Sequence, residues 1–331
     1  MKSFKNYFLI VLQVFILFLA ILAILSELRN VEIRYLKMLD FLRIQFFLVS
    51  LISLILLLLL IKKWFWFNYL VLAGLVLGLY INGSYLVNYT SLVNVAVPTA
   101  TDSENPDNSI SVLLINVQMS NTNSEALIDL ISRKSPDLVL AMEVNERWNE
   151  ALSGLKKDYP YIQEAVNEKA YGMVLFSKFP FRKKEVNYIN NENVPSFESS
   201  IMLNQTTEIN LDCLHPVPPT HYKNLPDNEG QKEVALLILG EKIKGRTNPT
   251  LVIGDLNEVV WSHVDRSTGT ENLLFDVRIG RGFYNSYDAT NILMRWPLDH
   301  IFVTKEFQLQ KLERLPKIGS DHFPIFVELV L

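Results

Sequence analysis

TLVIGDLN, residues 250–257, is the stretch from which the fold can be read. Its apolar and β-branched run is broken at Gly254 and followed at once by Asp255 and Asn257. That is the pattern of a short buried strand delivering a carboxylate and an amide at its C-terminal tip. The arrangement recurs along the chain. SVLLINV at 111–117 carries Asn116 near its end, LVLAM at 138–142 leads into Glu143, and the strand at 208–214 leads into His215. Asp299 and His300 precede IFVT, and Asp321 and His322 precede FPIFVEL. Six strand edges thus bring amides, carboxylates and imidazoles toward one cleft, with few cations to compete.

Working outward, strands are predicted at 111–117, 138–142, 173–177, 200–203, 208–214, 250–253, 300–303 and 325–331, with helices at 124–134 and 232–244. Many strands and few helices predict an α+β domain of stacked sheets flanked by helices rather than a doubly wound sheet. The chain has no glycine-rich phosphate loop, which argues against P-loop and dinucleotide-binding folds.

The residue types at the tips suit chemistry on phosphate. Hard divalent cations such as Mg²⁺ take oxygen ligands, and Glu143, Asp255, Asn257 and Asp321 can supply them. An imidazole paired with a carboxylate has its tautomer fixed and its charged form stabilised. His322 and His215 are the candidates for acid or base work, with Asp299 or Asp255 as partner. Singly, a strand-end Asp or Asn reads first as a turn or helix cap. The combination is what carries weight.

GDLN at 254–257, LDHIFV at 298–303 and GSDHFPI at 319–325, with Asn116, PDLVLAMEV, YGMVLFSKFP and LHPVPP as further landmarks, resemble the endonuclease/exonuclease/phosphatase superfamily. The resemblance covers about residues 110–331 and implies a four-layer α/β/β/α sandwich with one cleft. It further implies metal ligation by Glu143 assisted by Asn116 and Asp321, with Mg²⁺ or Mn²⁺ as cofactor. Asp255 would orient or deprotonate the attacking water, Asn257 and His215 would bind phosphate oxygens, and His322, its ring held by Asp299, would stabilise the phosphorus centre or act as acid/base. Many members have glutamine where this chain has Met142, and the active-site tyrosine of the nucleases is matched only loosely by Tyr171.

Composition changes sharply along the chain. Of the 31 Lys and Arg and 35 Asp and Glu, residues 1–100 hold 8 basic and 3 acidic groups, leaving 23 and 32 for the rest, so the charges are +5 and −9. Apolar runs at about 8–25, 41–61 and 65–81 are each near the length that crosses about 30 Å of hydrocarbon. They predict a bundle of about three transmembrane helices over 1–85, a linker over 86–109 and a catalytic domain over 110–331. The first run is read as a retained span, because it is long and no small-x-small cleavage site follows it. Together with these helices, the resemblance extends to a bacterial membrane-bound branch of the family. Lys2, Lys5, Lys62 and Lys63 on one side balance Arg29, Arg34, Lys37 and Arg43 on the other. The absence of Lys and Arg over 82–132, with Asp102, Glu104 and Asp107 in the linker, places the catalytic domain outside the cytoplasm, on a multi-pass protein of the cell membrane. Gly74 and Gly78 form a small-xxx-small pair, open to a close helix approach or to chance.

The reading is a membrane-anchored, divalent-metal-dependent phosphoesterase acting on nucleic acid, a lipid head group or a small phosphate ester, with no obligate protein partner. The alternative is a noncatalytic membrane receptor or scaffold on the same fold. A charge of −9 gives nonspecific nucleic-acid binding no support, and without HExxH or a cysteine set a zinc hydrolase is weaker still. Cys213 reads as a small buried hydrophobe, His221 and His263 as surface or loop residues, Arg182, Lys183 and Lys184 as a solvated turn, and Trp261 and Trp296 as packing.

Overall fold

Along strand β1 (Ser109–Asn116) alternate side chains go to opposite faces, and both faces are apolar. Val112 and Leu114 point into a core shared with the second sheet, while Leu113 and Ile115 join an outer cluster beneath helices. A strand buried on both faces needs a layer on each side, and this period of two is what builds the sandwich. The computed structural model describes residues 2–30, 33–101, 108–189, 191–220, 223–226, 234–262 and 269–331. The linker acids Asp102, Glu104 and Asp107, the histidines His221 and His263, and the expected helix start at Lys232 lie outside the described residues.

The first sheet has six strands. Its centre is β1 and β2 (Leu138–Met142), flanked by β4 (Met173–Ser177) and β3 (Tyr161–Ala165) on one side and β12 (Ile325–Val330) and β11 (Gln308–Arg314) on the other. The second runs β5 (Phe181–Asn187), β6 (Ser196–Met202), β7 (Glu208–Leu214), β8 (Thr250–Asp255), β10 (Asp299–Val303) and β9 (Phe275–Asp276). Each sheet contains one parallel pair, β1 with β2 and β7 with β8. The crossovers carry helices α5 (Ser124–Lys134) and α7 (Val234–Lys244), and α6 (Glu146–Ala151) follows β2. Leu127, Leu130, Ile131 and Trp148 cover the outside of the first sheet; Leu239 and Ile243 cover the second. The result is the expected four-layer α+β sandwich.

The basic run at 182–184 is a strand and not a turn. It lies in β5, an edge strand whose side chains are almost all exposed. Lys183 reaches Glu198 on β6 at 2.6 Å and Glu185 at 3.1 Å. Charged groups are what an edge strand tolerates, so the run carries no apolar alternation to read.

Before the sandwich come α1 (Lys2–Leu25), a short α2 (Arg34–Leu39), α3 (Arg43–Leu60) and α4 (Trp66–Leu86). Three helical segments, Tyr7–Leu28, Arg34–Leu60 and Trp66–Tyr89, are long and apolar enough to cross a membrane. The third runs beyond residue 81 because Asn82 is no terminator: it is buried, and its amide donates to Gly78 O at 2.8 Å and Ala23 O at 3.1 Å. The two glycines serve helix contact. A Cβ at Gly74 would lie 3.4 Å from Ala20 and one at Gly78 3.3 Å from Ala23, so α1 seats closely on α4. Where the three helices end beside the sandwich, the fully buried Arg43 donates to Asp40, and to Ser26 O at 2.9 Å.

The bundle is docked on the sandwich rather than tethered to it. Trp261 is fully buried against Tyr89 and Phe283, and its indole N–H donates to Asp40 O at 2.8 Å. The Tyr89 hydroxyl donates to Val260 O at 2.7 Å, and Phe41 meets Trp296 edge-on at 5.7 Å. Trp261 is therefore a packing group, as expected, whereas Trp296 packs on Phe41 and also lines the cleft.

Candidate active site

The C-terminal tips of both parallel pairs and the first residues of β10 and β12 lie at one end of the sandwich. Because β10 runs antiparallel to β8, Asp299 sits directly opposite Asp255. All eight sequence-predicted positions come together here.

Asn116, 2% exposed, is the bridge between the sheets: its amide nitrogen lies 2.9 Å from Glu143 Oε1 and 3.2 Å from Asp255 Oδ2. Its Oδ1 accepts from Gln118 N at 2.9 Å. Glu143 has left-handed backbone (φ 60), unusual for a residue with a side chain, and its Oε2 accepts from Met119 N at 3.0 Å. Asn257 is also left-handed (φ 51); its amide donates to Pro216 O at 2.8 Å, tying the β8 tip to the loop after β7. Gly254 makes that approach possible. At φ +153, a Cβ there would stand 1.8 Å from Leu214 O, a contact with backbone that no rotamer relieves.

His322 is the centre of the arrangement. Its Nδ1 is 2.8 Å from Asp299 Oδ2 and its Nε2 is 3.4 Å from Asp255 Oδ2. The sequence left two carboxylates as alternatives for this partner; the ring touches both. Burial alone would strip its proton, but the Asp299 and Asp255 carboxylates outweigh burial and push its pKa up to about 10. His215, 3.8 Å from Asp255 Oδ2, goes the other way: burial holds it below the ordinary histidine value, so it is neutral at pH 7. Asp255 is pushed up by burial against the pull of His322, and Asp321 is pushed up by burial and by the nearby Glu143. Asp299 Oδ1 and His215 Nδ1 are buried without a hydrogen-bond partner among the described residues.

Four carboxylates face one imidazolium, and this excess of negative charge in a buried cleft suits a hard divalent cation. Asp255, Asp299 and His322 each offer an atom within 4.8 Å of the others. In that trio the imidazole lies between the two carboxylates, its Nδ1 toward Asp299 and its Nε2 toward Asp255, and they hold it charged. Glu143 raises Asp321 through like-charge repulsion, which a nearby cation would relieve.

Several contributors were not legible beforehand. Ser286 Oγ accepts from Asp299 N at 3.1 Å, and the Tyr287 ring lies 5.0 Å from that of His322. Ser320 Oγ donates to Asn116 O at 2.7 Å. Serines and tyrosines in loops carry no periodic signal. Met142, where the resemblance leads one to expect glutamine, accepts from Asp255 N through its sulfur at 3.2 Å, a weak acceptor. Tyr171 stands 5.1 Å from the His215 ring. His300 is structural, its Nε2 2.7 Å from Glu258 O.

The model of the Endonuclease/Exonuclease/phosphatase family matches residues 113–322, a span that holds every one of these strand-tip residues. The chain belongs to this family. Endonuclease/exonuclease/phosphatase proteins are generally hydrolases of phosphoesters and depend on divalent metal. Solved structures of the same fold include a humanized TDP2 of D. rerio carrying 14 mutations, 14% identical with a TM-score of 0.56, covering 68% of this chain and 100% of that one. D. rerio TDP2 complexed with single-strand DNA product is 17% identical with a TM-score of 0.56, covering 67% and 99%. A functionally unknown conserved protein from Enterococcus faecalis V583 is 18% identical with a TM-score of 0.50, covering 67% and 99%. A search of the curated proteins returns no match. At these identities the likeness is one of fold.

Proposed function

We propose that this protein is a membrane-anchored phosphoesterase that uses a divalent cation, Mg²⁺ or Mn²⁺, to hydrolyse a phosphate ester. The observation that carries the reading is His322 clamped between Asp299 and Asp255, beside the carboxylates of Glu143 and Asp321. Glu143 and Asp321, with Asn116, would hold the cation, whose chemistry is to compensate negative charge developing on the phosphoryl oxygens. Asp255 orients the attacking water and accepts its proton. His322, kept charged by its two carboxylates, presents a positive hydrogen-bond donor to the phosphoryl group, and Asn257 and His215 direct their polar atoms at its oxygens. The water oxygen bonds to phosphorus and gives its proton to Asp255, one P–O ester bond breaks, and the departing alcohol oxygen takes a proton from His322, which the proton on Asp255 replaces.

The three apolar helices are read as membrane spans of a multi-pass protein, with the catalytic domain on the extracytoplasmic face. Protease added to intact spheroplasts should then cut the domain without lysis; protection until lysis would reverse the orientation. The activity is tested with the full-length protein on nonspecific diesters, single- and double-stranded DNA, lipid and inositol phosphate esters. Turnover should vanish with EDTA, return with Mg²⁺ or Mn²⁺, and fall at least ~10³-fold in His322→Ala and Glu143→Ala. Silence across the panel from folded protein would transfer the assignment to the receptor reading.

A further inference from the structure

The carboxylates and imidazoles form only one wall of a cavity of about 590 Å³. Residues far away in sequence line the same cavity: Tyr35, Met38, Leu39, Phe41 and Leu42, at the start of the second membrane-length segment, Arg34–Leu60. Met294 and Trp296 line it as well. No Lys or Arg is among the described residues lining the cavity. A nucleic-acid strand, with one charge on every nucleotide, is held chiefly by such cations. An apolar wall facing a cluster able to take one phosphate is instead the complement of an amphiphile.

The place of the wall says where such a molecule comes from. Residues 35–42 lead directly into α3, one of the three membrane-length helices, and Phe41 touches Trp296 at 5.7 Å. The loop holding Met294 and Trp296 is pinned to the same helix, Gln45 of α3 donating to Leu293 O at 2.8 Å. At that loop's tip Ile292 and Leu293 are 75% and 77% exposed, and on the helical side Tyr35 is 78% exposed. Large apolar groups bared beside the cleft, on a loop fastened to a membrane-length helix, fit the interfacial zone of a bilayer.

We propose, resting on the hydrolase and membrane readings above, that the substrate is a phospholipid of the bilayer that holds the protein. Its phosphate ester reaches the carboxylates while the top of its hydrocarbon chain lies along Tyr35, Met38, Leu39 and Leu42. A volume of about 590 Å³ accepts a head group and the first stretch of a chain, leaving the remaining hydrocarbon in the membrane.

The test uses full-length protein in lipid nanodiscs and 4-nitrophenyl alkyl phosphodiesters with methyl, butyl and octyl groups, all below micelle-forming concentration. At about 0.8 kcal/mol per buried methylene, kcat/KM should rise about fourfold for each of the first few methylenes. Tyr35→Ser and Met38→Ser should flatten the octyl-to-methyl ratio, which is read within each variant and so does not depend on the amount of folded protein. Tyr35 is exposed, so its replacement does not threaten folding. Turnover indifferent to chain length would overturn the lipid and leave the hydrolase standing. Binding of octyl phosphate much tighter than methyl phosphate, read by tryptophan fluorescence, with no turnover of any ester, would overturn the hydrolase and leave the amphiphile. A final arm places a long-chain phospholipid in the nanodisc itself: its cleavage supports the bilayer as source, and cleavage of dissolved short-chain esters alone overturns it.

Discussion

Asp299 and Gly254 separate charge from shape at this site. Asp299→Asn keeps the side-chain volume beside His322 but removes the carboxylate that holds the ring charged and in place. The expected result is a fall in kcat of about 10²–10⁴-fold with KM little changed and melting near that of the parent, measured by steady-state kinetics and calorimetry. A loss confined to KM would mean that Asp299 serves binding alone. Gly254→Ala tests shape. The new methyl group has only the Leu214 carbonyl to move against, so the β7 and β8 tips must part. A loss of more than ~2 kcal/mol is expected, seen as a melting temperature several degrees lower and a weakened site. Of the site itself, the eight residues at strand tips were readable because a polar residue ending an apolar run is a local pattern. Ser286, Tyr287 and Ser320 sit in loops and became visible only where the chain returned to the cleft.

Among the elements, every strand absent from the sequence reading is a sheet edge. β3 and β11 bound the first sheet, β5 and β9 the second. An edge strand is covered less on its outer side, so it need not alternate or be apolar, and the hydrophobic period that reveals a central strand is missing. β5 shows what holds such an edge. Glu198 on β6 takes Lys183 of β5 at 2.6 Å, Lys242 of α7, and Arg246 at 3.6 Å. Burial alone would raise the Glu198 carboxyl, but the hydrogen bonds and charges of Lys183 and Lys242 outweigh it and bring the pKa from 4.5 to about 2. A carboxyl depressed by folding adds stability that is complete above its unfolded value and is lost as the pH falls from about 4.5 to about 2. Glu198→Gln should cost ~1–2 kcal/mol at pH 7, and the gap between variant and parent should close as thermal melts are taken down toward pH 2. A gap that stays constant with pH would assign the cost to packing.

At the scale of the molecule, the helical bundle and the sandwich share a core. Leu86 and Tyr89 from the end of α4 bury Val259, Val260, Trp261 and Leu298 of the sandwich. A fragment covering residues 108–331 would bare this cluster. It should melt several degrees below the full-length protein in detergent, bind an apolar dye, and self-associate; a monomeric fragment with the parent's melting temperature would show the contact to be energetically idle. Activity measured on such a fragment would also lack the cavity wall made by residues 35–42.

By itself the sequence determined the layered sheets, the membrane-length helices and the set of strand-tip residues, because each is written in a local period: two for strands, unbroken apolarity for the helices, a polar break at a tip. Tertiary structure alone decided the rest. It joined Asp299 to Asp255 across β10 and β8, gave His322 both carboxylates at once, and brought the start of the second membrane-length segment to line the cleft. Such contacts bring together residues far apart in the chain, Gln45 and Leu293 being separated by 248 positions. No local period records them, because they exist only once the sheets and the bundle have closed on one another.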